Sequence, residues 1–371
     1  MSIDTPAASS DLTSQRDSLR ALRPVDCDLH PAAPTMKQLL PFLDEHWRES
    51  MVSRGVGDLV LAAYPPNAPI SGRSDWRAGV GRPAESADVL GKQALDPWNT
   101  RVGILNCLHG CMALYADDMG AALARAVNDW LVAEWLDKEP RLRASVTVCM
   151  RDPVQAAEEI ERRAADPRFV QVLLMVSGDM PLGRRAMWPV YEAAQRHGMV
   201  VGIHAGSTYH NVVTPVGWPS YYVEDYVSQS AAFQSTLLSL IGEGVFSKFH
   251  DLRVTLLESG FTWLGPFLWR ADKEWRGLRT EVPWVDRAPS DIVRDHVRLT
   301  LQPVDAPPAT ADLADTIAHF GADDMLLFST DYPHWQFDEH PLPAGLPSHL
   351  LPGIACDNAL AFYPRLKEHR S

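Results

Sequence analysis

The sequence predicts an α/β protein in which eight parallel strands and their helices form a (β/α)8 TIM barrel with long loop insertions over the C-terminal mouth. Three observations support this prediction: eight short apolar runs bounded by turn residues, helical periodicity between most of these runs, and long segments after three of them. Buried parallel strands are near-continuous apolar segments, and strands that alternate with helices form right-handed βαβ units. Eight such units can close a barrel.

The predicted strands and helices follow from local sequence patterns. The strands are Pro24–Leu29, Arg101–Asn106, Arg143–Cys149, Phe169–Met175, Met199–His204, Leu252–Leu257, Val297–Gln302 and Met325–Thr330. Apolar residues spaced three or four apart predict a helix that starts at the cap candidates Asp117 and Asp118. Asp152 and Pro153 mark the start of the next helix, and Gly198 marks a helix end.

One domain is predicted to span residues 23–371, after a flexible N-terminal arm at 1–22 that is rich in Ser, Thr, Asp and Ala. The connections after the first, fifth and sixth strands are long, at 31–98, 205–251 and 258–296. In a barrel these connections lie at the C-terminal mouth, where active sites are built. We interpret 31–98, which contains closely spaced Pro and Gly, as a lid-like insertion.

Composition and charge exclude several kinds of partner. The chain of 371 residues has a formal net charge of −13, whereas nucleic acids and anionic membranes are bound by concentrated Lys and Arg. We therefore expect a small-molecule substrate, no nucleic acid and no membrane. The five scattered cysteines indicate a reducing compartment. No segment resembles a signal peptide or a membrane helix, so a cytoplasmic location is predicted.

Polar side chains that can bind metals directly follow four of the eight apolar runs. The first strand ends in Asp28 and His30, the fifth in His204, the sixth in Glu258 and the eighth in Asp331. A barrel brings these strand ends into one ring, where the carboxylates would repel one another without a cation. Imidazole and carboxylate ligands suit zinc, iron(II) and manganese(II). The sequence therefore predicts that these five residues bind a divalent transition metal, with one or two ions per chain.

These motifs resemble the amidohydrolase superfamily, and within it the branch that includes aminocarboxymuconate-semialdehyde decarboxylase and γ-resorcylate decarboxylase. The resemblance rests on Asp28-x-His30, on the His-Ala-Gly element at His204, and on the Ser-Thr-Asp-Tyr-Pro-His run that contains Asp331 and His334. The resemblance implies that Asp28, His30, His204 and Asp331 hold a metal-activated water or substrate. It also implies a homodimer. Many members carry His in the place of Asp28, but the decarboxylase branch accepts a carboxylate there.

Glu258 is the main departure from the decarboxylases, which carry a histidine at the end of the sixth strand that looks essential for proton handling. Loss of this imidazole favours hydrolysis, and a carboxylate can bridge two metal ions. We therefore predict a metal-dependent hydrolase that cleaves an amide, ester or thioester with a metal-activated water. Asp331 would act as general base and then protonate the leaving group, while Glu258 would hold a second ion or orient the water.

Alternative interpretations stay open at this point. The protein could be a metal-dependent non-oxidative decarboxylase of the same branch, or a non-catalytic barrel that only binds its ligand. Glu258 could instead accept a hydrogen bond from a ligand histidine or form a structural salt bridge. His334 either donates to the substrate or its leaving group, or caps its own loop.

Overall fold

Eight parallel strands form one sheet in the order β1 to β8 along the chain. The computed structural model describes residues 15–59, 61, 73, 76, 83–207, 214, 216–334 and 342–369. The strands are β1 (Val25–Leu29), β2 (Val102–Leu105), β3 (Leu142–Thr147), β4 (Phe169–Ser177), β5 (Val200–Ser207), β6 (Val254–Leu257), β7 (Val297–Thr300) and β8 (Leu326–Leu327). Each predicted strand overlaps one of these, so the predicted barrel is confirmed.

The first and last strands meet and close the barrel. Cys27 N donates to Phe328 O at 3.0 Å, and His30 N donates to Tyr332 O at 2.8 Å. Leu29 also pairs with Tyr332 in a parallel bridge. Closure therefore places the polar ends of β1 and β8, which are about 300 residues apart in sequence, side by side.

Helices separate the strands along the chain. After β1 they are α1 (Met36–Leu39), α2 (Glu45–Arg54), α3 (Ala87–Leu90), α4 (Asp117–Leu131), α5 (Pro153–Arg163), α6 (Trp188–Arg196), α7 (Tyr222–Gly242), α8 (Val245–Lys248), α9 (Leu264–Leu278), α10 (Pro289–His296), α11 (Ala311–Ala318) and α12 (Asn358–Phe362). Short 3₁₀ segments are Leu40–Phe42, Gly110–Ala113, Arg185–Met187, Ser348–Leu350 and Pro364–His369. Single π turns are Gly91–Leu95, Val132–Leu136 and Gly353–Asp357.

The helix starts agree with the sequence patterns in one case and differ in another. Asp152 caps α5 by accepting hydrogen bonds from two backbone N–H groups, and Pro153 occupies the first turn, as predicted. In α4 the cap position is Ala116, so the predicted caps Asp117 and Asp118 lie in the first turn instead. In the first turn their negative charges still interact favourably with the positive end of the helix dipole.

A buried hydrogen-bond network fills part of the barrel interior. Asn106 Oδ1 accepts from Ser145 Oγ at 2.6 Å and from Gln171 Nε2 at 3.0 Å, and Tyr363 OH donates to Gln171 Oε1 at 2.8 Å. All four side chains are fully buried. Because a buried polar group is costly unless it is hydrogen-bonded, this network fixes the orientation of Asn106 just below the barrel mouth.

The two regions predicted as arm and lid are described only in part. Residues 15–22 are helical, and Leu19 is buried in the core, whereas 1–14 lie outside the described residues. In the 31–98 insertion the same applies to 60, 62–72, 74–75 and 77–82, but Trp76 is described, and its ring lies 4.7 Å from that of Tyr332. None of the described helices has both the length and the apolar character needed to cross a bilayer. The predicted homodimer and cytoplasmic location stay predictions.

Candidate active site

The structure brings together all five side chains that the sequence predicts as metal ligands. Asp28 lies on β1 and His204 on β5, while His30, Glu258 and Asp331 directly follow strands or lie a few residues beyond them. None of the five is more than 8% exposed. Two overlapping groups of possible metal-binding atoms each fit within 4.8 Å, and they are Asp28, His30, His204 and Glu258, and His30, Glu258, Asp331 and His334. The ring predicted at the barrel mouth is therefore present, although the role of each member stays a prediction.

The distances between the polar atoms are those expected around a single ion. His30 Nε2 lies 3.3 Å from Asp28 Oδ1 and 3.1 Å from Asp331 Oδ1. His204 Nε2 lies 3.4 Å from His30 Nε2 and 3.5 Å from Glu258 Oε1. Ligand atoms bound at about 2.0–2.2 Å from a common ion are about 3–3.5 Å apart. The five side chains are thus spaced as a metal coordination shell requires.

Hydrogen bonds to the backbone fix the orientation of both imidazoles. His30 Nδ1 donates to Asn106 O at 3.0 Å, and His204 Nδ1 donates to Ala205 O at 2.7 Å. In each ring the Nε2 atom is therefore the one that faces the carboxylates. Metal-binding histidines usually donate a hydrogen bond from the ring nitrogen that does not bind the metal, as both do here.

The charges at the site also fit a divalent cation. Among the described residues, Asp28, Glu258 and Asp331 form ion pairs only with histidines. Burial raises the pKa of Asp331, but the imidazoles of His334 and His30 outweigh it and lower that pKa to about 2. In addition, Asp28 Oδ2 and Asp331 Oδ2 are buried without a hydrogen-bond partner among the described residues. A bound cation would satisfy both oxygens and offset the clustered negative charge.

Two of the carboxylates stand on unusual backbone. Glu258 has φ of 53° and Asp331 has φ of 54°, which places both in the left-handed region that few residues other than glycine adopt. Glu258 directly follows β6 and Asp331 lies shortly after β8, so the chain turns sharply at both places. Such backbone is commonly found at functional sites, where the surrounding structure holds it in place.

His334 completes the ring from the eighth strand. Its Nδ1 lies 2.8 Å from Glu258 Oε1 and 2.7 Å from Asp331 Oδ1. Its ring stacks on that of His30, with centroids 4.6 Å apart. Burial lowers the pKa of His334, but the two carboxylates outweigh it and raise that pKa well above its ordinary value. The chain therefore places an imidazole within hydrogen-bonding distance of both Glu258 and Asp331.

Two positioning residues were missed from the sequence. Asn106 Nδ2 donates to Asp28 Oδ1 at 2.7 Å, and its backbone carbonyl holds His30. Asp26 accepts from Thr330 N at 3.1 Å and from Thr330 Oγ1 at 2.7 Å, which ties β1 to the segment that carries Asp331. Burial raises the pKa of Asp26 to about 7. Asn106 could have been predicted from the sequence, because it is a polar residue at the end of an apolar run, as the predicted ligands are.

A cavity of about 390 Å³ opens above these donors, with His204, Glu258 and His334 in its lining. One side of the cavity is formed by helix α7, which contributes a polar and aromatic face with spacing i, i+3, i+4 and i+7: Tyr222, Asp225, Tyr226 and Gln229. The size is that of a typical small-molecule site. Sequence reasoning missed this face, although its helical spacing could have been read from residues 222–229.

Comparison with known proteins identifies decarboxylases among the relatives. The γ-resorcylate decarboxylase of Polaromonas sp. (strain JS666 / ATCC BAA-500) is 28% identical over 226 residues, which are 58% of this chain and 67% of that protein. An amidohydrolase from Mycobacterium avium subsp. paratuberculosis K-10 superposes with a TM-score of 0.70 at 22% identity, over 92% of this chain and 98% of that one. A dihydroxybenzoic acid decarboxylase from Polaromonas sp. JS666, solved with bound manganese and the inhibitor 2-nitroresorcinol, gives 0.64 at 21%, over 94% and 98%. The two superpositions show a shared fold.

These relatives correct the activity predicted from the sequence. The expected hydrolysis of an amide, ester or thioester is wrong, because the relatives with a named reaction are decarboxylases. The error came from treating Glu258 as the loss of an imidazole, whereas the structure supplies His334 at 2.8 Å from the Glu258 carboxylate. The family model described as amidohydrolase matches residues 25–365. Since this match covers nearly the whole chain, the protein belongs to the amidohydrolase family.

Proposed function

We propose that this protein is a metal-dependent, non-oxidative decarboxylase of a hydroxy-substituted aromatic acid. The observation that carries the proposal is the ring of buried donors at one end of a small-molecule cavity, with an adjacent imidazole and two carboxylate oxygens that no described residue hydrogen-bonds. The named activities of the relatives support the same reaction. Manganese is the ion bound in one of these relatives, and the oxygen and nitrogen donors here suit it.

The proposed ligands are the five residues of the ring, and the geometry favours one ion. Both candidate groups of donors include His30. Its Nδ1 is held by Asn106 O, so only the single lone pair of Nε2 remains for a metal. The two groups therefore describe one site. When bound, a divalent ion supplies a Lewis acid that holds the carboxylate of the substrate and a neighbouring oxygen, and that stabilises their negative charge.

The protein's own residues supply the proton. In a non-oxidative decarboxylation the bond between the ring carbon and the carboxylate breaks, carbon dioxide leaves, and one proton is added to that carbon. His334 lines the cavity, and its Nδ1–H is held by Glu258 and Asp331. The Nε2–H is then the group left to protonate the ring carbon. Glu258 and Asp331 would fix the plane of this imidazole by accepting its Nδ1–H.

The decisive experiment measures the products of both candidate reactions. Protein freed of metal by a chelator and reloaded with Mn²⁺ is incubated with 2,6-dihydroxybenzoate and 2,4-dihydroxybenzoate, and in parallel with aryl esters and amides. We expect carbon dioxide and the corresponding phenol in equal amounts, no product without metal, and about one ion per chain by elemental analysis. Cleavage of the esters or amides without release of carbon dioxide would contradict the proposal.

A further inference from the structure

One carboxylate in the cavity has no part in the proposed reaction. Asp225 lies on α7, lines the cavity and is 9% exposed. Its recorded side-chain partner among the described residues is Gln229, whose Nε2 donates to Oδ2 over a long 3.3 Å. Gln229 is itself held by Gly206 N, which donates to its Oε1 at 2.8 Å. An ionised carboxylate can accept about four hydrogen bonds, so the hydrogen bond from Gln229 leaves Asp225 able to accept further hydrogen bonds on the cavity side.

A second carboxylate in the same cavity provides a contrast. Asp305 accepts from Phe261 N at 3.0 Å, from Thr262 N at 3.3 Å and from Thr262 Oγ1 at 2.8 Å. Its oxygens are engaged in holding the loop that precedes α9. Burial raises the pKa of Asp225, and the Gln229 hydrogen bond offsets only part of this increase. Of these two acids, Asp225 is the one to which a ligand can donate.

The charge of the cavity restricts what that ligand can be. None of the described residues that line the cavity is Lys or Arg, whereas Asp225, Asp305 and Glu258 are acidic. A bound metal offsets the negative charge at the site of the reacting carboxylate only. A second carboxylate on the ligand would meet Asp225 as a like charge in a partly desolvated space, and this is unfavourable. A hydroxyl or amino group would instead supply the hydrogen bond that Asp225 lacks.

We propose that Asp225 determines substrate specificity by accepting a hydrogen bond from a hydroxyl or amino group on the ring of a monocarboxylic substrate, and by disfavouring substrates with a second carboxylate at that place. The inference rests on the proposed function and deepens it, because it assigns the residue that recognises a ring substituent other than the reacting carboxylate. Gln229 acts as a positioning residue that holds the Asp225 carboxylate toward the cavity.

The test measures binding separately from turnover. Isothermal titration of the Mn²⁺-loaded protein uses salicylates that carry amino, hydroxyl, methyl or carboxylate substituents at ring position 4 or 5. We expect the best amino or hydroxyl compound to bind at least about tenfold more tightly than its methyl counterpart, the scale of a hydrogen bond to a charged group, and the dicarboxylates to bind most weakly. In Asp225→Asn the gap to the methyl compound should shrink several-fold, and the dicarboxylates should gain about tenfold.

Asp305→Asn is the matched control, because it removes the charge of the acid whose donors are internal. It should leave the order of the ligands unchanged even if all affinities shift together. Thermal melting checks that each variant is folded, and the wild-type series decides the question if a variant is not. Equal binding of methyl or carboxylate compounds by the wild type, or an unchanged order in folded Asp225→Asn, would overturn the inference.

Carbon dioxide release from the same compounds separates this inference from the proposed function. Selective binding without carbon dioxide overturns the decarboxylase and leaves the role of Asp225 standing. Carbon dioxide release without the expected preference overturns the role of Asp225 alone. Failure of every salicylate to bind at millimolar concentration overturns both.

Discussion

The floor and the wall of the cavity are fixed by different parts of the fold. The floor consists of the five predicted metal ligands, which stand on or just after barrel strands and are almost fully buried: Asp28, His30, His204, Glu258 and Asp331. The wall consists of one face of α7, in which Tyr222 and Tyr226 are partly buried and the neighbouring Val223 and Val227 are 66% and 70% exposed. The floor is held by the barrel itself, whereas the wall is one helix of an insertion.

This difference indicates a division of work within the cavity. The two floor histidines are tied by hydrogen bonds to backbone carbonyls, His30 to Asn106 after β2 and His204 to Ala205 on its own strand, so they can hold an ion in a fixed geometry. The wall presents Asp225 and two phenol rings to the cavity, where they would contact the rest of a substrate, and we expect a change there to leave the barrel intact. We therefore expect substitutions in the floor to abolish the reaction and substitutions in the wall to change which molecule reacts.

The largest effect is expected for Asp331→Asn, which removes one floor carboxylate while keeping its shape. Asn lacks the charge that binds the metal and that pairs with His30 and His334. We expect loss of bound Mn²⁺ and at least about a thousandfold lower kcat/KM, because the Lewis acid contributes several kcal/mol. Elemental analysis, initial rates and circular dichroism measure the three quantities. A folded variant that keeps its metal and near-normal turnover would show that Asp331 is not a metal ligand.

His334→Gln tests whether metal binding and proton transfer depend on different residues. Gln can still donate a hydrogen bond to Glu258, but it cannot protonate a ring carbon. We expect metal content to stay near one ion per chain, while kcat falls about a hundred- to a thousandfold, the usual contribution of a general acid. Loss of the metal in this variant would show that His334 is a ligand and not the proton donor.

The sequence predicted the floor because its signal is local and its geometry is general. Each ligand lies at or just beyond the end of an apolar run, and a barrel brings strand ends together whatever their separation in sequence. The contact between His334 and Glu258 was not predictable in this way, since it depends on the turn after β8. The wall was missed for a similar reason: the spacing of Tyr222, Asp225 and Tyr226 marks one helix face, but only tertiary packing decides what that face meets.

Asn106→Ala tests the support beneath the floor and should have an intermediate effect. The change removes the hydrogen bond from Asn106 Nδ2 to Asp28 Oδ1, and with it the acceptor of Ser145 and Gln171, while the backbone carbonyl that holds His30 remains. Loss of such a support typically lowers metal affinity about ten- to a hundredfold. The matched control is Asn128→Ala, which also removes a buried Asn, bonded to Thr147 and Glu159 away from the site. Equal metal affinity in both variants, measured by competition with a chelator, would contradict the role of Asn106.

Tyr226→Phe probes the wall and should have the smallest effect. The ring keeps its packing against Tyr222, with centroids 4.6 Å apart, and only the hydroxyl is lost. Since one neutral hydrogen bond contributes about 0.5–1.5 kcal/mol, we expect KM to rise about two- to tenfold while metal content and kcat change little. Tyr191→Phe is the control, because the Tyr191 hydroxyl donates to Leu182 O on the outside of the barrel; it should lower the melting temperature and leave KM unchanged. A fall in kcat as large as that of His334→Gln would contradict this role, because it would show that the phenol takes part in the proton transfer.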